Sequence, residues 1–323
     1  MRTILTRSII TYSLTCLLAY SLTCLLAHSL YGKGLGTTGA QFLKITPGVR
    51  PAAMGNVFVG VANDVNTINY NTGGLGFLTG TEILLMHNEW FEEINIEHIA
   101  AIHKLQNIGT IGLTGTMLTM GKIDKYDNTG TALNETYTAS DLSAGLSYSL
   151  LIDANFCVGL VLKYIQQKIE NEQATGFGAD IGLLYRGLNI SEKVLPVGIS
   201  VKNIGTEIKF REEGAPLPML ISLGASYEPI KSLNTAVDVR YSNELQLTVG
   251  IGLEQKLTFS HIDFGIRAGY DTTTLQSKLD GLSGLSAGLG VATNPVGLDF
   301  SWAPYGDVFK NTFRLGLTLK LGK

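Results

Sequence analysis

The sequence predicts an all-β protein: an antiparallel transmembrane β-barrel of about 14 strands with a small N-terminal plug or hatch. After residue 80, apolar residues alternate with small or polar ones, the period-two pattern of strands with one apolar face. Glycine is abundant, at 38 of 323 residues, and charged residues make up only 16% of the chain. The non-apolar face therefore carries too little charge for the exterior of a soluble protein.

Composition also narrows the functional classes. The 24 basic and 27 acidic residues leave a formal charge of −3, and the pI is near 6.0. A nucleic-acid partner would call for a basic patch or a high pI, so we expect none. There is no Cys/His spacing typical of zinc sites and no catalytic motif. We therefore expect that the protein binds neither a metal nor a cofactor and is not an enzyme.

Residues 1–29 predict a cleaved signal peptide, with cleavage as late as residue 32 also compatible with the pattern. Arg2 and Arg7 precede a long uncharged run, and Ala27 and Ser29 have the spacing of a cleavage site. One alternative is a single membrane anchor, because about 20 apolar residues suffice to cross a bilayer. Another is a lipoprotein acylated at Cys24.

Residues 30–80 are rich in small residues, too apolar for a linker, and do not alternate cleanly. We expect this segment to be a plug or hatch that enters or closes the barrel from the periplasmic side. Residues 34–39 match a GxGxxG pattern. A dinucleotide site needs a preceding strand and a following helix, and neither is indicated here.

Residues 81–323 predict the outer-membrane barrel. Most of the alternating runs have about 9–12 residues, which suits tilted transmembrane strands. Short connections, as at Asn107, alternate with long ones, as at 122–136, which is the pattern of outer-membrane barrels. Two connections depart from it: 187–194 is too long and the one near Ser242 too short. The fourteen runs start near Thr81, Ile96, Thr110, Thr138, Asn155, Ala174, Leu195, Leu217, Leu233, Leu245, His261, Ser283, Val296 and Asn311.

A soluble β-sandwich would alternate equally well, but would need fourteen apolar faces packed inward. In a barrel, several charged residues of the later strands have the parity that points into the lumen. They form either a structural ion-pair network or the polar wall of a substrate path. These lumen residues are Asp238, Arg240, Glu254, Lys256, Asp263, Arg267, Asp299 and Arg314. Aromatic residues near strand ends predict a girdle at the membrane interface: Trp90, Phe91, Tyr227, Tyr241, Tyr270, Trp302 and Tyr305.

Several stretches resemble the PorV/PorQ-like outer-membrane proteins of the long-chain fatty acid transporter (FadL-like) superfamily. The resemblance is carried by 41–45, 50–55, 62–64, 71–75, 198–210 and 298–306. It implies a fourteen-stranded barrel with an N-terminal hatch. The hatch motif corresponds to Asn71, Gly73, Gly74 and Leu75, with Thr72 where the family usually has proline.

The resemblance implies a transporter for hydrophobic compounds, with uptake of long-chain fatty acids as the main hypothesis. The protein would contact membrane lipid in the outer membrane of a diderm bacterium. We expect an acyl chain to contact Phe42, Phe58 and Tyr70 of the plug, although core packing explains these aromatics equally well. The alternative is a PorV-like secretion or attachment component that binds a periplasmic or surface protein.

Overall fold

The computed structural model describes residues 34–244, 247–276 and 282–322. The predicted signal peptide lies outside the described residues. Fourteen antiparallel strands form a closed barrel, as the alternating pattern predicts. The barrel strands are β1 (Thr81–Glu89), β2 (Asn95–Leu105), β3 (Gly109–Thr119), β6 (Ala139–Leu151), β7 (Phe156–Ile169), β8 (Glu172–Ile190), β9 (Lys193–Gly205), β12 (Leu220–Ile230), β13 (Leu233–Ser242), β14 (Thr248–Phe259), β15 (Ile262–Asp271), β16 (Leu285–Thr293), β17 (Val296–Pro304) and β18 (Asn311–Leu321).

The predicted strand starts agree with the structure to within three residues. The largest differences are Leu217 against Leu220 and Leu245 against Thr248. Two long connections contain hairpins instead of irregular chain: β4 (Ile123–Tyr126) with β5 (Ala132–Tyr137) in the predicted loop 122–136, and β10 (Ile208–Phe210) with β11 (Glu213–Ala215) between β9 and β12.

The two ends of the barrel differ in their connections. At one end, the turn end, successive strands are joined by short turns such as 231–232, 260–261 and 294–295. At the other, the loop end, lie the two hairpins and the helices Thr273–Gln276 and Gly306–Phe309. The expectation of a long connection at 187–194 is wrong, because β8 continues to Ile190. Ser191 and Glu192 close the hairpin with φ of 48° and 66°, the positive values that a tight two-residue hairpin turn uses.

The wall has an apolar outward face and a small or polar inward face. Leu146, Leu253 and Leu315 are 58%, 44% and 58% exposed on the outward face, while their neighbours Ser147, Glu254 and Arg314 are buried. This division follows from side chains that alternate across a strand. Within the described residues, no helix combines the length and the apolarity needed to cross a bilayer.

Residues 34–80, the N-terminal segment, line the inside of the barrel as four short helical turns joined by extended chain. The elements are Gln41–Lys44, Val49–Ala53, Thr67–Tyr70 and Thr72–Phe77. Residues 38–44 lie at the loop end, where the backbone N–H of Gly39 donates to Pro216. The segment then descends to the turn end, where Gly80 precedes β1. Residues 72–80 thus lie toward the turn end and residues 38–44 at the loop end, and closure from the periplasmic side stays a prediction.

Inward-facing glycines allow this segment to pack against the wall backbone to backbone. A Cβ on Gly269 would overlap the backbone of Gly55, and one on Gly182 would overlap Asn71. Because glycine has no side chain, the two chains approach more closely than other residues permit. Wall glycines at which an added Cβ would lie within 3.0 Å of a backbone or side-chain atom of the segment are Gly159, Gly182, Gly198, Gly224, Gly250, Gly252, Gly269, Gly288 and Gly316. The high glycine content is thus partly accounted for by this inner seam.

Candidate functional site

A cavity of about 390 Å³ lies at the loop end between the N-terminal segment and the wall formed by strands β12 to β18. Cavities that hold small ligands typically span roughly 300–1,000 Å³ and are mainly apolar with a few placed polar groups. This one has the same character. Its apolar lining includes Leu43, Ile45, Leu220, Leu285 and Ala303.

Aromatic side chains from two loops cluster beside this cavity, and Trp90, Phe91 and Tyr305 line it. Trp90 and Phe91 follow β1, and Tyr305 and Phe309 follow β17. The ring centroids of Trp90 and Tyr305 are 4.9 Å apart, and those of Phe91 and Phe309 are 4.5 Å apart. The expectation that Trp90, Phe91 and Tyr305 belong to a membrane girdle is wrong, because they pack together and line the cavity.

Two arginines give the cavity a cationic pole. Arg314 is buried, and its Nη1 donates to the backbone carbonyls of Thr46 at 3.1 Å and Gly48 at 3.4 Å. Among the described side chains it forms no ion pair. Its guanidinium carbon lies 5.8 Å from the Trp90 ring centroid, within the range of a cation–π contact. Arg314 therefore retains donors for an anionic group in the cavity.

Arg240 is the second arginine of this pole. Its Nη1 lies 3.0 Å from Asp271 Oδ2, and its Nη2 donates to Gly55 at 3.4 Å. Its Nε is buried and has no hydrogen-bond partner among the described residues. An unsatisfied buried donor is costly, so the ion pair with Asp271 holds Arg240 at an energetic cost.

A single carboxylate fastens the outer part of the N-terminal segment. Glu244 Oε1 accepts hydrogen bonds from the Thr38 amide and hydroxyl, both at 2.7 Å, and from Gln41 at 2.9 Å. Lys44 Nζ lies 2.5 Å from Oε2. Burial by itself would raise the pKa of Glu244, but the hydrogen bonds from Lys44, Thr38 and Gln41 outweigh it and lower the pKa to about 2.

A buried ion-pair network fastens the helix Val49–Ala53 to the wall. Arg50 makes two contacts with Glu254, at 2.7 and 2.5 Å, and one with Asp64 at 2.7 Å. Glu254 also pairs with Arg267 at 2.8 Å, and Arg267 pairs with Asp299 at 2.5 Å. The chain of charges runs from the segment across three strands, so the segment and wall are held by more than apolar packing.

The segment separates the loop-end cavity from a second, more polar cavity of about 740 Å³ at the turn end. Arg50 and Asp64 of the segment face the second cavity, as do Lys256, Asp263 and Lys320 of the wall. An apolar solute that moved along the barrel axis would have to pass residues 50–64 and then enter polar surroundings.

The predicted lumen residues fall into three groups. Glu254, Arg267 and Asp299 are joined in one network, with Lys256 3.9 Å from Glu254. Arg240 and Arg314 line the loop-end cavity. Asp238 accepts hydrogen bonds from the backbone of Phe58 at 2.9 Å and Val59 at 3.1 Å, and Asp263 accepts one from Thr258 at 2.7 Å.

Strand parity could not reveal the charges that lie outside the strands. Arg50, Asp64 and Glu244 belong to the segment and to a loop. A usable signal was present: Arg50 is a lone cation in a run of small apolar residues, which predicts burial with a carboxylate. Asp271 ends a strand and was likewise missed.

The predicted ligand-contact residues lie away from the loop-end cavity. Phe58 is fully buried, with its ring 5.7 Å from that of Tyr70 in an edge contact. Phe42 packs in a core cluster with Ile208 and Leu217 and lines a cavity of about 40 Å³. These positions are typical of core packing, and acyl-chain contacts for the three aromatics stay a prediction.

The hatch motif has a structural role. The Asn71 side chain donates to the carbonyls of Val59 at 2.8 Å and Leu183 at 2.9 Å, and accepts from the Gly73 amide at 3.1 Å. A Cβ on Gly73 would lie 2.8 Å from the backbone of Leu183, and one on Gly74 would meet Ala62. Leu75 is fully buried. The motif thus closes a turn tightly against β8. In the described part of the chain, no three His, Cys, Asp or Glu side chains are grouped to hold a metal ion.

A family model matches residues 21–239, more than half of the chain, and its description is an uncharacterised protein family, UPF0164. The chain belongs to this family. No curated protein matches the sequence of this UPF0164 member.

Solved structures share the fold of this UPF0164 protein. The toluene transporter TbuX of Ralstonia pickettii has a TM-score of 0.61 at 12% identity, over 85% of this chain and 98% of its own. The toluene transporter TodX of Pseudomonas putida has a TM-score of 0.58 at 9% identity, over 86% and 99%. A FadL homologue of Pseudomonas aeruginosa has a TM-score of 0.58 at 10% identity, over 86% and 98%. At these identities the likeness establishes the fold alone.

Proposed function

We propose that this protein is an outer-membrane barrel that admits hydrophobic solutes, with long-chain fatty acids as its substrate. Its leader would be cleaved on export, and its apolar outward face would then lie in the bilayer. The names of the structural neighbours, toluene transporters and a FadL homologue, support the class of hydrophobic substrates. The PorV/PorQ-like resemblance of the sequence remains part of this proposal.

The loop-end cavity is the observation that carries the proposal. Its apolar walls suit an alkyl chain, and Arg314, whose hydrogen bonds go only to backbone carbonyls among the described residues, suits a carboxylate. Arginine is well matched to carboxylates because its planar fork can form two parallel hydrogen bonds. A purely aromatic hydrocarbon would leave this cationic pole unused.

The N-terminal segment supplies the closure that a selective transporter needs. It lies between the two cavities and is held by Glu244, by the Arg50 network and by the glycine seam. We infer that a solute moves inward only after part of residues 38–64 shifts from the wall.

The test is uptake of labelled oleate by a deletion strain that carries the wild-type or a variant gene. Arg314→Gln should lower oleate uptake about tenfold and leave labelled toluene uptake unchanged, because only oleate presents a carboxylate. Arg314→Lys, which keeps the charge, should retain most of the oleate uptake. Equal oleate uptake by the deletion strain and the complemented strain would refute the function.

The alternative function is a PorV-like component that holds a secreted or periplasmic protein. The hairpin β4–β5 favours it, because Tyr126 and Leu133 are 60% and 47% exposed at the loop end. A partner captured by the wild type and lost on deletion of residues 123–137, without an uptake defect, would support this alternative.

A further inference from the structure

A broad groove of about 1510 Å³ indents the outward face of the barrel around the junction of β1 and β18. Its surface is mainly apolar. Leu85, Ile99, Met117, Phe300 and Leu315 contribute to it, and each is between 39% and 58% exposed. Since the groove lies on the outward wall, a bilayer would present acyl chains to it.

Of the ionisable residues that line the groove, His98 and Asp299 are 4% and 17% exposed, so the exposed ones are the pair His87 and Glu97. His87 of β1 and Glu97 of β2 lie directly opposite each other, with Nδ1 and Oε1 2.6 Å apart. The two side chains are 47% and 59% exposed and border the groove. Ionisable groups on the lipid-facing wall of a barrel are costly, most of all near the middle of the bilayer. The pair therefore requires either a polar partner or a position near the membrane interface.

The strand register places the pair close to the interface. The next outward row toward the loop end contains Glu89, Phe313 and Trp302, which are successive partners across β1, β18 and β17. Aromatic side chains mark the headgroup level of membrane proteins. His87 lies two residues below Glu89, about 7 Å along the strand. The pair is thus just beneath the headgroups, and the groove continues from it toward the middle of the wall.

The pair has free atoms on both residues. Among the described residues, neither Nε2 of His87 nor Oε2 of Glu97 has a hydrogen-bond partner. A carboxylate accepts hydrogen bonds from an ammonium group, and a protonated imidazole donates to a phosphate oxygen. A headgroup that carries both an ammonium and a phosphate therefore complements the pair.

We propose that this groove is a binding site for a zwitterionic aminophospholipid of the phosphatidylethanolamine class. The ammonium meets Glu97, the phosphate meets His87, and the acyl chains follow the groove. A second copy of the chain fits less well, because a two-fold contact would set one concave groove against another. The site lies outside the lumen, so the proposal depends on membrane insertion and not on the transported solute.

Native mass spectrometry of the detergent-extracted protein, titrated with single lipids, tests the proposal. Phosphatidylglycerol supplies a phosphate without an ammonium, and phosphatidylcholine supplies an ammonium without N–H donors. The wild type should bind phosphatidylethanolamine about tenfold more tightly than either, and a His87→Leu/Glu97→Leu variant should bind all three equally. Gln166→Leu is the matched control, because residue 166 shares the outward row but lies beyond the groove. It should keep the preference.

Folding of each variant is checked by its mobility before and after boiling. If the double variant does not fold, Glu97→Gln takes its place, because it keeps the shape and removes the charge. The proposal is overturned if the wild type binds the three lipids equally, or if the variant keeps the preference. It is also overturned if the wild type is a dimer and the variant a monomer, which would make the groove an interface between copies.

Discussion

Individual glycines decide how closely the N-terminal segment approaches the wall. Gly269 faces the backbone of Met54 and Gly55, whereas an added Cβ on Gly297 would meet no atom closer than 3.5 Å. Both glycines lie in barrel strands, so they form a matched pair that differs in contact with the segment.

Gly269→Ala should destabilise the protein by about 1–3 kcal/mol, the usual cost of overpacking a tight interior. Gly297→Ala should be neutral or slightly stabilising, because it restricts the unfolded chain without a clash. Urea unfolding in detergent micelles measures both. Equal urea midpoints for the two variants would contradict the close packing of the N-terminal segment against the wall at Gly269.

Glu244 predicts a pH dependence at the loop end. Its folded-state pKa of about 2 lies below its ordinary value of 4.5, so its stabilising effect is complete above about pH 4.5. The stabilisation that ionised Glu244 contributes is lost as the pH falls from 4.5 through 2.

A spin label on Thr37→Cys should therefore become more mobile between pH 4.5 and 2 in the wild-type background. With Glu244→Gln, which cannot ionise, the label should be mobile at all of these pH values. A label whose mobility follows the same pH course in both backgrounds would rule out the role of Glu244.

At the scale of elements, the helix Val49–Ala53 depends on the charge of Arg50. Removal of one member of a buried ion pair leaves an uncompensated charge and costs about 3–5 kcal/mol. Arg50→Ala should therefore lower the free energy of unfolding by that amount, as measured with urea. Lys256→Ala is the control: its side chain is 50% exposed and 3.9 Å from Glu254, so less than about 1 kcal/mol is expected. Similar losses for both variants would show that the network does not anchor the helix.

The strands could be predicted from sequence because their signal is local. An outward Leu beside an inward Ser or Gly repeats along the strands. This pattern locates the first residue of each of the fourteen barrel strands to within three residues. The turns were less predictable. The sequence predicts a loop at 187–194, whereas β8 and β9 continue to a two-residue turn at Ser191 and Glu192. Positive φ at non-glycine residues leaves little trace in a sequence.

At the scale of the whole molecule, the path of residues 34–80 could not be predicted. Many of its contacts pair the segment with residues that are distant in sequence, as in Gly55 with Gly269, and nothing local encodes such pairs. The site was predicted only in part for the same reason. Strand parity identified Arg240 and Arg314, while Glu244 and the aromatic cover come from loops whose courses depend on the closed barrel.

The central claim is that the N-terminal segment must leave the wall before a hydrophobic solute can pass. A reversible cross-link tests it most directly. A Cβ on Gly316 would lie 3.4 Å from the Cβ of Val49, close to the separation of about 3.5–4.5 Å that a disulfide needs. The double variant Val49→Cys/Gly316→Cys, and each single variant as a control, is assayed for labelled oleate uptake before and after reduction. The account predicts that the oxidised double variant is blocked and recovers on reduction, while both single variants transport in either condition. Undiminished uptake by the fully cross-linked protein would contradict it.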